Sequence, residues 1–335
     1  MIRIILFLLF LISIQFTNAQ SVDIPSKKWG ISFGNSINFT GLRLNFRDNN
    51  IEKINGINFT IWNPREPVTG SVNGLAIGLP ITGSGNLNGV AIGAGVMAEK
   101  SIHGINIGIL GTGSGEDMKG FNIAGLGIGS GSEIAGINLA GLGLGTGGDL
   151  KGVSIGGLGI GAGESISGIT FAGLGVGSGN EIKGLTFGGL GVGAGSNIYG
   201  ITAAILGVGS GENVVGLTVA GIGIGAGESL KGINIAVIGV GAPNVSGINI
   251  AAAVGGENVS GLAIAPAYFK IEGGTLKGLS VSAFNYVKGE NRGINIGVFN
   301  YAVSNKGLQI GILNYVKNNP KGLKILPIFN ADFSK

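Results

Sequence analysis

The sequence has no cysteine and a single histidine, His103. Without thiols there are no disulfides, no zinc knuckles and no cysteine nucleophile. The one imidazole, beside Gly104, reads as a turn residue rather than a ligand. Charge is scarce as well: Asp, Glu, Lys and Arg make up 11% of 335 residues, and the net charge of +4 is scattered along the chain. No basic stripe marks a nucleic-acid surface. Helical periodicity is missing from the chain after its first 19 residues. The many Gly-x-Gly-x-x-Gly matches therefore lack the strand-to-helix setting that a dinucleotide site needs. A calcium-binding β-roll would repeat its aspartates, and here Asp149 stands almost alone. Catalysis needs a base, a nucleophile or paired carboxylates held in geometry. The acidic residues sit singly in turn positions, so neither an enzyme nor a cofactor or metal is expected.

Glycine, by contrast, is abundant at 70 residues, about three times ordinary usage, without the strict triplet of collagen. Hydrophobic residues reach 44% and the mean hydropathy is +0.48, far too apolar for a disordered linker. Between Gly104 and Gly232 one sixteen-residue phrase is written eight times without slippage. A typical copy runs from Gly168 to Lys183: Gly-Ile-Thr-Phe-Ala-Gly-Leu-Gly-Val-Gly-Ser-Gly-Asn-Glu-Ile-Lys. A fixed period of this kind is the mark of a repeat architecture. Looser copies extend from Gly56 to Gly322, giving eighteen leading glycines spaced fourteen to eighteen residues apart.

Numbered from its glycine, a unit is apolar at positions 2 and 4, again at 7 and 9, and at 15. Period-two alternation specifies short β-strands. If both apolar pairs face one interior, the phase must break between positions 4 and 7, where a corner of Ala and Gly would return them to the same side. The fold expected on this reading is all-β, a parallel β-solenoid with about 16 residues per coil and equivalent residues stacked at about 4.8 Å. Position 3 would then point outward. Asn122, Asn138, Thr170, Thr186, Thr202, Thr218 and Asn234 would form an outward ladder, the candidate binding surface. A threonine row is similar in outline to an ice-binding face, but four threonines flanked by asparagine are more simply an ordinary β column. The alternative architecture is a transmembrane β-barrel of repeated antiparallel strands, acting as pore or anchor. Against it stand the phase break and the lack of two aromatic girdles: only Phe121, Phe171, Phe187 and Tyr199 occur from Gly104 to Gly232.

Residues 1–19 read as an export signal, with Arg3, the apolar run Ile4 to Ile14 and the small-residue site Thr17-Asn18-Ala19 before Gln20. Residues 20–55 are less regular and more charged and read as an N-terminal β cap, with strands expected over Trp29 to Phe33 and Leu42 to Phe46 and a turn at Asn49-Asn50. Residues 56–335 form the repeat array, ending in a C-terminal cap rich in proline and polar residues. Glycosylation sequons at Asn38, Asn58, Asn244 and Asn258 are taken as chance matches.

Four passages carry a resemblance: Ile54 to Pro64, Asn73 to Gly78, the Gly-Leu-Gly-Val/Ile-Gly array, and Lys306 to Tyr315. Together they resemble the uncharacterised glycine-rich surface-repeat proteins of Gram-negative bacteria, those of Bacteroidota above all. The resemblance spans roughly residues 40–330. It implies export to the cell surface, outer membrane or extracellular space, and it supplies no catalytic residues. The expected function is that of an exported, non-enzymatic structural or interaction protein: a spacer, an adhesin-like module or a scaffold. Its expected partners are other surface proteins or glycans, with outer-membrane association and without nucleic acid.

Overall fold

The computed structural model describes residues 21–332; the export-signal reading of residues 1–19 lies outside them. The chain forms two compact units, Met1–Leu142 and Gly143–Lys335. Both are built the same way, and the fold is a parallel β-solenoid.

In the second unit each coil has a longer and a shorter strand, as in Ile166–Ala172 followed by Gly175–Ser178. Each strand pairs in parallel with its equivalent one repeat later, so that Gly168 lies beside Gly184, Thr170 beside Thr186 and Val176 beside Val192. Later coils tolerate a shorter or longer repeat, since Gly247 aligns with Gly261 and Gly261 with Gly278. Parallel pairing from coil to coil excludes the antiparallel barrel.

Two glycines explain why the phrase is so strict. At Gly168 the backbone has φ of +117°, and a Cβ would lie 2.1 Å from the carbonyl oxygen of Gly152. Neither the angle nor the space admits another residue. At the corner, a Cβ on Gly173 would lie 2.0 Å from the carbonyl oxygen of Gly157. Glycine is thus required where one coil's backbone passes directly over another's.

The structure corrects the inferred phase. In the sixteen-residue coils from Gly104 to Gly232, positions 3, 5, 9 and 15 are buried, whereas positions 2, 4, 10 and 16 are half-buried or exposed. Alternation holds along each strand and is interrupted at two corners, positions 6 and 7 and positions 12 and 13, where two successive residues such as Gly173–Leu174 and Gly179–Asn180 both lie outside. The apolar core comes from positions 9 and 15: Val176, Ile166 and Ile182 are almost wholly buried. These fill a narrow coil, and the sixteen-residue units carry only Ala or Gly at position 5 and only Asn, Thr or Ser at position 3.

Among the described residues the first and the last strand are antiparallel. Ser21–Ser26 pairs with Trp29–Gly34 in the first unit, and Ile325–Ala331 pairs with Leu308–Val316 in the second. Each covers the open hydrogen-bonding edge of its terminal coil. Within the first unit the strand register extends upstream of Gly56, to Gly41 and Gly30, and Asn50 adopts φ of 48° in the expected turn. Gly322 heads no coil; it sits in a short 3-10 turn, Lys321–Leu323.

Candidate functional site

The inversion of faces moves the candidate surface. Asn122, Asn138, Thr170, Thr186, Thr202, Thr218 and Asn234 are not outward; each is at most 1% exposed. The physical reason is that the interior supplies amide partners. In the first unit the Nδ2 of Asn106 donates to Oδ1 of Asn122, and Nδ2 of Asn122 donates to Oδ1 of Asn138, both at 2.7 Å. Stacking at one rung per repeat lets each asparagine donate to the next, so a buried amide column is satisfied by its own repetition. Where the column is interrupted, its ends are left over. Asn234 donates to Asn249 at 2.8 Å, and Asn234 Oδ1 and Asn249 Nδ2 have no partner, because Thr218 and Ala263 occupy the flanking rungs. A second interior ladder in the last coils runs from Asn285 to Asn300 to Asn314, each step 2.7 Å.

The same inward position holds the most polar buried cluster. Arg43 occupies position 3 of its coil, aligned with Asn58, and is completely buried against Asp48. The Asp48 carboxylate also accepts from Asn45, Asn58 and Thr60 at 2.8–2.9 Å. Both carboxylate oxygens are occupied by internal donors, while Arg43 Nε has no partner; the cluster is an interior network of the first unit rather than an open site. Among the described residues no group of His, Asp or Glu is placed to hold a metal.

What lies outside is apolar. Positions 2 and 4 form two parallel columns on the longer strand, for example Ile169 (40% exposed) and Phe171 (38%) on one rung and Leu185 and Phe187 on the next. Corner leucines at position 7, such as Leu158, Leu174 and Leu190, border them and are 47% exposed. Single exposed hydrophobics need no explanation, but a continuous apolar sheet face marks an interaction surface. Position 16 supplies its polar rim. Lys151 is 3.0 Å from Asp149, Lys183 pairs with Glu181, and the Lys183 ammonium lies over the Tyr199 ring. The Lys183 hydrogen bond holds the Glu181 carboxyl below its ordinary pKa despite the opposing effect of burial.

Near the C-terminal end the outward columns turn aromatic. Tyr286, Tyr301 and Tyr315 stack at 4.8 and 5.3 Å, and Phe284 stacks on Phe299 at 5.0 Å. Their ring faces are covered by one another, which leaves edges and hydroxyls, not flat platforms, toward solvent. Burial raises the Tyr301 hydroxyl above its usual pKa, and the neighbouring tyrosines add to the effect.

Sequence reasoning placed the apolar columns inside and so missed this face. The available signal was the identity of the position-3 residues: Arg43 and Gln309 share a column with asparagine and threonine, and only a mixed polar interior, or a surface, accommodates all four. The occurrence of a full apolar set at positions 9 and 15, sufficient to fill a narrow coil, was the signal that decides between the two. No protein-family model, curated protein or solved structure matches the chain.

Proposed function

We propose that the chain is an exported, non-enzymatic structural and interaction protein of a Gram-negative cell surface, a scaffold or adhesin-like module that works through its outer sheet face. The observation that carries this reading is the apolar double column repeated on successive rungs. A soluble monomer rarely exposes so large a contiguous apolar patch, and a repeat array presents such a surface as one extended contact rather than as a pocket. The sequence adds the export signal, the scarcity of ionisable residues and the resemblance to surface-repeat proteins.

The reading is tested by expressing the full chain in a Gram-negative host. Mass spectrometry of the recovered protein is expected to show Gln20 as the first residue, and protease or antibody added to intact cells is expected to reach the solenoid. Retention of Met1 with recovery in the cytoplasm would refute export.

A further inference from the structure

In the second unit the size pattern of the outward columns identifies what covers them. Position 4 reads, rung by rung, Ile155, Phe171, Phe187, Ala203, Val219 and Ile235. Phe171 and Phe187 are neighbours, with ring centroids 6.4 Å apart, and Ala203 on the next rung leaves a hollow beside them. We propose that this face docks on the same face of a second copy of the chain, giving a two-fold homodimer whose axis runs along the strands between the Phe187 and Ala203 rungs.

The geometry follows from symmetry. A two-fold axis along the strands preserves strand direction and reverses rung order, so like columns face each other. Phe187 then meets Ala203 of the second copy, Phe171 meets Val219, and Ile155 meets Ile235. Phenylalanine opposes alanine at the centre, phenylalanine opposes valine next, and isoleucine opposes isoleucine outside, so larger side chains meet smaller ones where the rings lie, the pattern by which facing layers interdigitate. Centring the axis on the Phe187 rung would press two phenyl rings together, and centring it on Ala203 would leave a void between two methyl groups. The size sequence thus selects one register out of a ladder that would otherwise slip.

Three further observations favour a second copy over other occupants. The columns repeat at about 4.8 Å, and another stack of the same chain has that spacing by construction. In the two columns across these six rungs, nine large side chains are 36–50% exposed. They leave on the order of 700 Å² of apolar surface per copy, close to the ~800 Å² that each partner contributes to a stable complex. Finally, two of the three lysines beside these rungs, Lys151 and Lys183, are paired with Asp149 and Glu181. The rim therefore lacks the free basic row by which anionic lipid is recognised. The proposal rests on the interaction reading above in taking the face as a docking surface, but it is tested in purified protein, independently of where the protein resides.

The experiment is sedimentation velocity on the purified full chain and on Phe187→Ala, Ala203→Phe and the double swap, with far-UV circular dichroism to confirm folding. The parent is expected to dimerise. Phe187→Ala opens a central void and Ala203→Phe opposes two rings, and each is expected to raise the dissociation constant roughly 30-fold. The double swap re-forms the same pair with roles exchanged and is expected to return to within roughly threefold of the parent. Ile201→Glu, a substitution on the outer face that leaves the interior alone, provides an independent break if Ala203→Phe does not fold. A parent that stays monomeric, or a dimer indifferent to all four variants, overturns the proposal. So does a monomer that binds phosphatidylcholine–phosphatidylglycerol vesicles through Phe187, which would assign the face to lipid. A monomer still found on intact cells overturns the dimer alone, whereas a dimer held in the cytoplasm overturns only the surface location.

Discussion

Replacing Asn122 with alanine should be among the most damaging changes to a side chain of that size anywhere in the first unit. Asn122 is the middle rung of an interior column: it accepts from Asn106 and donates to Asn138, each at 2.7 Å. Alanine removes both bonds at once and leaves the Asn106 amide nitrogen and the Asn138 carbonyl oxygen buried with those contacts empty. Orphaning a buried polar group costs about 1–3 kcal/mol, so two orphans with little room to relax predict a loss of about 4 kcal/mol. The matched control is Ile137→Ala, an outward position on the next rung, paired with Phe121. Ile137 is 44% exposed, so only about half of its apolar surface is removed from water, and its truncation should cost about 1 kcal/mol. Urea denaturation followed by far-UV circular dichroism measures both. A loss below about 1 kcal/mol for Asn122→Ala, with a larger loss for Ile137→Ala, would refute the inward ladder and restore the reading in which asparagine faces solvent.

The remaining predictions concern backbone, charge and rings. Gly168→Ala should abolish folding or cost several kcal/mol, because its Cβ would overlap the Gly152 carbonyl at a backbone angle hostile to L residues. Gly177→Ala, whose Cβ meets nothing within 4 Å, should fall within about 1 kcal/mol of the parent; thermal melts distinguish them. Asp48→Asn should destabilise by about 3–5 kcal/mol, because it strands the buried Arg43 guanidinium without its counter-charge. The Glu181, Glu272 and Glu290 carboxyls are held below their ordinary values chiefly by hydrogen bonds from Lys183, Lys270 and Arg292. Their contribution is therefore fully present above the unfolded glutamate pKa of about 4.3 and is lost as pH falls through the lowered folded values. All three lie at the surface, so the triple Gln variant should flatten acid destabilisation only slightly. Tyr301→Leu should abolish the near-ultraviolet circular dichroism that arises from the Tyr286–Tyr301–Tyr315 stack while leaving the far-ultraviolet spectrum intact.

The period of sixteen, the short strands and the parallel stacking were legible because glycine at a fixed spacing leaves few ways to fold. Trp29 to Phe33 and Leu42 to Phe46 were also correctly read as strands, bounded by the Asn49-Asn50 turn. Which face lies inside was not legible from alternation, because a period of two is symmetrical under exchange of faces. The usual tie-breaker, apolar residues inward, fails here for a dimensional reason. Ile166, Val176 and their equivalents already fill the narrow coil, so Ile169 and Phe171 have no interior to enter. The asparagine column was misplaced by the same assumption, since one isolated buried amide is costly whereas a stacked series partners itself. Gly322 misled because it continues the spacing, although the chain after Pro320 enters the short turn Lys321–Leu323 that leads into the antiparallel closing strand Ile325–Ala331.

The central claim, that polar position 3 faces inward and apolar position 2 outward, is most directly tested by thiol accessibility, for which a chain without cysteine has no background. Ile105→Cys and Asn106→Cys place a thiol on adjacent residues of one strand in the first unit, one 43% exposed and the other 1%. Under native conditions the Ile105→Cys variant should react with a maleimide at the rate of a free thiol, and the Asn106→Cys variant only after denaturation. Rapid native labelling at Asn106→Cys with protection at Ile105→Cys would contradict the account.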